Sequence, residues 1–279
     1  MVANTEKKEC RPLVAEAARR LADAGLTVVT DAPTRRLCRL TLPSRQDAAA
    51  LAPHCDLLLV FGGDGTILRV ARETAGSQTP ILGIHVGRLG FLAEVTASRL
   101  PLALEQIVAG DYRIEPRPLL QAEPPRDNPV LALNDIVFSR GEVSRMIELE
   151  VVVDGEELTR YRCDGLIVSS PTGSTAYSLA AGGAIVSPTA SVFTITPICP
   201  LTLSNRSVIV DLDATLVVRV CTAKLRTHLT ADGQVARQLR VGDAVTIRKA
   251  AQSVPLLRLG GSSFFQTLRQ KLLWSGSHA

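Results

Sequence analysis

Hydrophobic and polar positions near the start of the chain switch between two periods. Between Arg11 and Ala24 the apolar residues Leu13, Val14, Ala17, Ala18 and Leu21 recur at helical spacing, which predicts an amphipathic helix closed by Gly25. LTVVT (26–30) reads as a strand, and a short helix over 46–51 leads into DLLLVF (56–61), an unbroken apolar run suited to a strand buried on both faces. A helix over ILRVARETA (67–75) and another buried strand, ILGIHV (81–86), come next. Strands alternating with helices in this way predict βαβ units around a parallel sheet. The stretch 31–45 carries no pattern that places it.

The pattern changes where prolines interrupt any helix, at EPRP (115–118) and EPPRDNP (123–129). Beyond them MIELEVVV and ELTRYRC flank Asp154-Gly155, a strong hairpin signal. FTITPI, SVIVDL, ATLVVRV, THLTADGQVARQL and AVTIRKA continue as short strand-like segments. The tail SFFQTLRQKLLW (263–274) returns to helical spacing. The expected fold is an α/β N-terminal domain with a parallel sheet over 1–118, to which a C-terminal helix (258–279) returns, and a β-rich domain over 119–257.

Composition narrows the class of protein. Of 279 residues 46% are hydrophobic and only 4% aromatic, so the core is aliphatic, as in α/β proteins. A net charge of +4 implies no dedicated nucleic-acid binding and suits local basic residues around an anionic ligand. Six scattered cysteines without a C-x-x-C pair point to reduced thiols rather than a disulfide framework or a zinc site. His54, His85, His228 and His278 show no metal spacing. MVANTEKKECRP has no apolar core of a signal peptide, and no apolar run reaches the roughly 18 residues of a membrane span, which leads to the expectation of a cytoplasmic protein without a membrane partner.

Three constellations can carry chemistry. GGDG (62–65) lies where a strand opens into a helix, an arrangement that aims backbone N–H groups at a phosphate; it is neither a P-loop nor a G-x-G-x-x-G. Asp64 repels phosphate, yet it can accept a proton from an attacking hydroxyl or help hold Mg²⁺; for GGDG taken alone, the reading as a helix N-cap is favoured. RCDGLIVSSPTGSTAYSLAAGG (162–183) runs from a strand into a hydroxyl-rich loop, where Thr172, Ser174 and Thr175 form either a ligand-sized polar concavity or a capped turn. In LNDIVF (133–138), Asn134 and Asp135 interrupt an apolar strand; a bulge or strand end would let both reach one ligand, and a solvent-facing turn fits as well. Asp232-Gly233 reads first as a type I′ hairpin turn.

With GGDGT, PILGIHVGRLGFL (80–92), LNDIVF, DGLIVSSPTGSTAYSLAAGG and TPICP (196–200) in this order, the chain closely resembles the bacterial NAD kinases. The resemblance covers about residues 55 to 240 and more loosely both ends; GGDGT alone also occurs in lipid kinases. It implies transfer of the γ-phosphoryl group of ATP to the 2′-hydroxyl of the adenosine ribose of NAD⁺. Asp64 would be the proton acceptor in the Gly62-Gly63 loop, with Gly65 beside it in dinucleotide binding. Other binding positions fall on Asn134, Asp135, Arg145, Arg162, Asp164, Thr175, Ala176, Tyr177, Ser178, Leu179, Ala180 and Gln234. Mg²⁺ carried with ATP, no protein metal site, and a homodimer or homotetramer are further implications.

Three positions depart from the family pattern: His85 where many relatives have Asn, Asp135 where many have Glu, and Ala180 where a serine is common. Two rival readings remain, a lipid kinase sharing the GGDGT loop, against which the polar PTGSTAY block counts, and a silent sensor of NAD(H) or NADP(H).

Overall fold

The computed structural model describes the chain except residues 88–89, 142–144, 203, 224–225, 262 and 275–279, and only the backbone of Val235. It divides into two compact units, Met1–Pro116 with Val254–Ala279, and Arg117–Ser253.

In the first unit, Leu58–Gly62 and Ile81–His85 are buried at every position, as their continuous apolar character requires. They pair in parallel from Leu58 opposite Ile81 to Gly62 opposite His85. Val2–Ala3 adds on one edge; Val95–Thr96 and Leu256 pair on the other, all parallel. One face of this sheet presents Leu59, Phe61, Leu82 and Ile84 to a core shared with Val14, Ala17 and Leu21 of helix Cys10–Asp23 and with Leu100, Ala103 and Leu104 of helix Leu100–Ala109. Burial of each Val, Leu, Ile or Phe side chain among these stabilises the fold by about 1.5–3 kcal/mol. On the opposite face Gly83 admits Ile67 of helix Asp64–Glu73, because a Cβ there would stand 2.4 Å from Ile67 Cδ1.

The first helix ends as the pattern predicts, with Gly25 at φ +79°. LTVVT forms a ladder only at Thr30–Asp31, opposite Ser44–Arg45. The chain terminus meets its neighbouring backbone groups instead: the Met1 ammonium donates to Val29 O at 2.6 Å, and Asp31 N–H to Met1 O at 3.2 Å. Within 31–45 lies helix Ala32–Cys38, capped by the Asp31 carboxylate on Thr34 N–H at 3.0 Å and stopped by Arg39 at φ +53°. The last helix, Phe264–Leu272, is tied to the first unit by the Lys271 ammonium 5.3 Å over the Phe91 ring. No helix among the described residues is long and apolar enough to cross a membrane.

The second unit is antiparallel. In Ile147–Val153, Ile147, Leu149 and Val151 are buried while Glu148 and Glu150 are only partly so. The strand turns through Asp154 (φ +50°) and Gly155 (φ +87°) into Glu156–Cys163, the left-handed pair a type I′ turn needs. A second sheet runs in the order Val208–Asp211, Val192–Ile198, Gly165–Ser169, Asp135–Arg140, Thr227–Ala231, Val235–Leu239. Its Phe138, Leu166, Phe193 and Ile195 share one core with Leu149, Val151, Tyr161 and Val218. Pro116 and Pro118 do not end structure but lie within strand Tyr112–Glu123. Its ladder with Val130–Ala132 runs from Leu120 to Ala122, past the prolines, which have no N–H to donate.

Candidate functional site

In the first unit the two central strands end side by side, and Asp64 stands just past the end of one of them. Gly63, not Asp64, is the N-cap; Asp64 is the first helical residue and caps nothing in its own helix. Its Oδ2 accepts the N–H of Phe91 at 2.7 Å and its Oδ1 that of Leu92 at 3.2 Å. This grip requires Gly90, where a Cβ would lie 1.8 Å from Asp64 Oδ1. The GGDG and GRLGFL blocks are therefore two halves of one carboxylate mount. Arg88 and Leu89 of the second block lie outside the described residues. Gly62 is tight against Thr66, while Gly65 is exposed with nothing within 4 Å of a would-be Cβ, which leaves open ground beside the carboxylate.

The N-terminal loop closes over these strand ends. Asn4 donates its backbone N–H to Phe61 O at 2.8 Å and its side-chain amide to Thr66 Oγ1 at 3.2 Å. Half-buried Lys7 donates from Nζ to Val86 O at 2.6 Å.

The second unit gathers a different cluster. Asn134 precedes and Asp135 begins strand Asp135–Arg140, the strand-end placement that brings both into one neighbourhood; they are 9% and 5% exposed. Asp232 accepts the backbone N–H groups of Leu133 at 2.9 Å, Asn134 at 2.7 Å and Asp135 at 3.2 Å. Asp232 (φ +49°) and Gly233 (φ +65°) do form the left-handed turn pair, but the carboxylate has this second role, which the turn signal concealed. The hydroxyl loop packs directly on Asn134: Ser170 N–H donates to Asn134 O at 2.9 Å, and a Cβ at Gly173 would lie 2.1 Å from that oxygen. Burial first, and the Asp232 charge second, push the Asp135 carboxyl up to about 7.

The hydroxyls of this loop are largely used internally. Ser174 is fully buried, donating to Pro171 O at 2.8 Å and accepting from Val186 N–H at 3.1 Å; Thr172 Oγ1 accepts from Arg117 Nη1 at 3.4 Å. Thr175 Oγ1 donates to Thr172 O at 3.3 Å. Ser178 is buried with its hydroxyl 3.1 Å from Thr196 Oγ1. Tyr177 and Ala180 are exposed, and Ala176 and Leu179 partly so.

Arg162 and Asp164 are not part of this cluster. Strand Gly165–Ser169 pairs Ser169 with Asp135 but Gly165 with Ser139, so Asp164 lies at the other end, roughly 13–16 Å along the strand. There its carboxylate meets Arg140 Nε at 3.0 Å. Arg145 and Arg162 are exposed, and Gln234 is exposed in the turn after Asp232.

The comparisons with known proteins agree along the chain. Residues 1–112 match the model of the ATP-NAD kinase N-terminal domain, and residues 133–259 that of the ATP-NAD kinase C-terminal domain. The chain belongs to the NAD kinase family. It is 43% identical to the NAD kinase of Moorella thermoacetica over 99% of this chain and 89% of that one. With the NAD kinase of Heliobacterium modesticaldum it shares 42% identity over 94% and 95% of the two chains. Yeast NADH kinase, solved in complex with NADH, superposes with a TM-score of 0.88 at 25% identity, covering all of this chain and 88% of the other. An NAD kinase from Archaeoglobus fulgidus, solved in complex with ATP, gives 0.77 at 27% identity over 99% and 98%.

Among the departures from the NAD kinase pattern, His85 is 5% exposed, and neither ring nitrogen has a hydrogen-bond partner among the described residues. Ala180 contributes a backbone N–H that points to Ala176 O at 3.5 Å.

Proposed function

We propose that the protein is an ATP-dependent NAD kinase, which transfers the γ-phosphoryl group of ATP to the 2′-hydroxyl of the adenosine ribose of NAD⁺ to give NADP⁺ and ADP. The observation that carries this reading is the mounting of Asp64 on the Phe91 and Leu92 amides at a helix start. A carboxylate fixed in this way accepts the proton of the attacking hydroxyl, a contribution of typically about 10²–10⁴-fold. Gly62, Gly63 and Gly65 let the backbone approach the phosphates without side chains in the way.

Asn134 and Asp135 hold the dinucleotide, together with the segment Thr175, Ala176, Tyr177, Ser178, Leu179 and Ala180. Their preorganisation is supported by the Asp232 carboxylate beneath them and by the Gly173 contact. Arg145 and Arg162, both exposed, offer charge to dinucleotide phosphates, and Asp164 and Gln234 complete the set. Among the described residues no three His, Cys, Asp or Glu side chains converge to hold a metal ion. A Mg²⁺ carried on the ATP phosphates would neutralise charge there while needing few protein ligands.

We place the enzyme in the cytoplasm as a homodimer or homotetramer; strands Val208–Asp211 and Val235–Leu239, at the two edges of their sheet, offer unpaired backbone for such contacts.

The test is a parallel assay of NAD⁺, NADH and a diacylglycerol as acceptors, each with Mg-ATP or polyphosphate as donor. Formation of NADP⁺ from NAD⁺ and ATP is expected. Phosphorylation of the diacylglycerol alone would make the protein a lipid kinase, and dinucleotide binding without turnover would make it a sensor.

A further inference from the structure

Lys7 belongs to a segment, NTEKKEC, with no motif, and its setting is unlike that of an ordinary surface lysine. Its ammonium reaches 79 residues along the chain to the Val86 carbonyl at 2.6 Å. It stands over two glycines: would-be Cβ atoms at Gly87 and Gly63 lie 3.1 Å and 3.7 Å from Nζ. Gly63 is the N-cap of helix Asp64–Glu73, so the ammonium is held beside the N–H groups that open that helix. A lone carbonyl satisfies one of its three donors. No carboxylate ion-pairs with Lys7 among the described residues, although Asp64 is near in sequence to Gly63; both Asp64 oxygens face the Phe91 and Leu92 amides instead.

A second observation points to a ligand here. His85 is only 5% exposed, and both ring nitrogens lack partners among the described residues. Paired residues of neighbouring strands share a sheet face, and His85 is paired with Gly62, whose own would-be Cβ runs into Thr66 of the helix's first turn. The imidazole therefore lies on the side where that helix begins. Buried polar atoms without partners are rare, and this one lies at the same strand ends over which the Lys7 ammonium is held, where an anionic group would give it a partner.

We propose that Lys7 is the phosphate-neutralising cation of the GGDG loop, with its ammonium bonded to a phosphate of the phosphoryl donor. This rests on the kinase reading above. The other source of the same chemistry is the diphosphate of the dinucleotide, and the test separates them. The Val86 carbonyl holds the ammonium in place before the ligand arrives, so little side-chain freedom remains to be lost on binding.

Wild type, Lys7→Gln, Lys7→Met, Lys7→Arg and, as a surface control, Lys8→Gln are titrated calorimetrically with Mg-ATP and separately with NAD⁺, and their melting temperatures are compared. The expected result is ATP binding weakened about 10- to 100-fold in Lys7→Gln and Lys7→Met, the range of a charge-assisted hydrogen bond. Lys7→Arg should restore most of the affinity, and Lys8→Gln and all NAD⁺ titrations should match wild type. Lys7→Gln keeps a donor for Val86 and so separates charge from a structural latch, even if Lys7→Met fails to fold. Wild-type ATP and NAD⁺ affinities in Lys7→Gln would overturn the proposal. Weakened NAD⁺ binding with unchanged ATP binding would overturn its assignment to the donor. A wild type that binds both ligands yet forms no NADP⁺ would sink the kinase reading alone.

Discussion

Asp64 in the first unit and Asp135 in the second are both carboxylates placed where a strand meets a loop, and their surroundings are opposite. Asp64 is half-exposed and receives two backbone N–H donors. Asp135 is buried, no donor among the described residues is bonded to its carboxyl, and Asp232 faces it with a like charge. The first arrangement fixes a carboxylate in one orientation while leaving it reachable, which suits a group that must take a proton from a substrate. The second produces a carboxyl that titrates at about 7, able to donate or accept a hydrogen bond to a sugar hydroxyl near neutrality. On the proposed function the same side chain serves the chemistry in one unit and the grip on the dinucleotide in the other, and its neighbours decide which.

The sharpest way to break this contrast is Asp64→Asn. Its kcat should fall by about 10²–10⁴-fold in an NADP⁺-forming assay, and a value close to wild type would leave Asp64 as a structural residue. Gly90→Ala attacks the same mount from the other side, since its Cβ would collide with Asp64 Oδ1 at 1.8 Å. A misplaced base should cost about 10²-fold in kcat, and the double variant should lose little more than Asp64→Asn alone.

In the second unit, Asp232→Ala leaves three backbone N–H groups without their acceptor. Urea unfolding should show a loss of about 3 kcal/mol, together with weaker NAD⁺ binding. The smallest effect concerns pH. Between 3.8, the ordinary value, and about 7 the folded chain keeps a proton on Asp135 that the unfolded chain has released. This contribution to stability therefore falls as pH rises through that window and levels off above it. The Met1 ammonium, pushed down to about 6 by burial, works in the opposite sense between pH 6 and 8, so the readout is the difference in unfolding free energy between wild type and Asp135→Asn, which should shrink by about 2–3 kcal/mol from pH 5 to pH 8.

What could be read from the residues was what local pattern encodes. Leu58–Gly62 and Ile81–His85 announce themselves as apolar runs, and Asp154-Gly155 as a turn, because each depends on residues a few positions apart. Helix Ala32–Cys38 escaped because Ala-Pro-Thr-Arg-Arg offers no apolar stripe; only Thr34 of it is buried, and the Asp31 cap gives it its start. LTVVT misled because only Thr30 of it joins a ladder: the Leu26 N–H goes back to Leu21 O and the Val29 carbonyl accepts from the Met1 ammonium.

At the candidate site the difference is one of range. GGDG and LNDIVF were visible as polar residues in apolar surroundings, whereas the parts that hold them come from far along the chain. Phe91 and Leu92 grip Asp64 from 27 and 28 residues away, and Asp232 holds Leu133, Asn134 and Asp135 from 97 to 99 residues away. The Ser174 hydroxyl shows the converse: a polar residue in a ligand-like loop whose bonds all go to its own backbone surroundings.

The separation of chemistry from dinucleotide grip is tested most directly by titrating NAD⁺ calorimetrically into Asp64→Asn and wild type under the same conditions. A dissociation constant within about threefold of wild type, in a variant whose NADP⁺ formation has fallen by about 10²–10⁴-fold, is the predicted result. Loss of NAD⁺ binding in step with loss of turnover, in a variant that melts at the wild-type temperature, would contradict it.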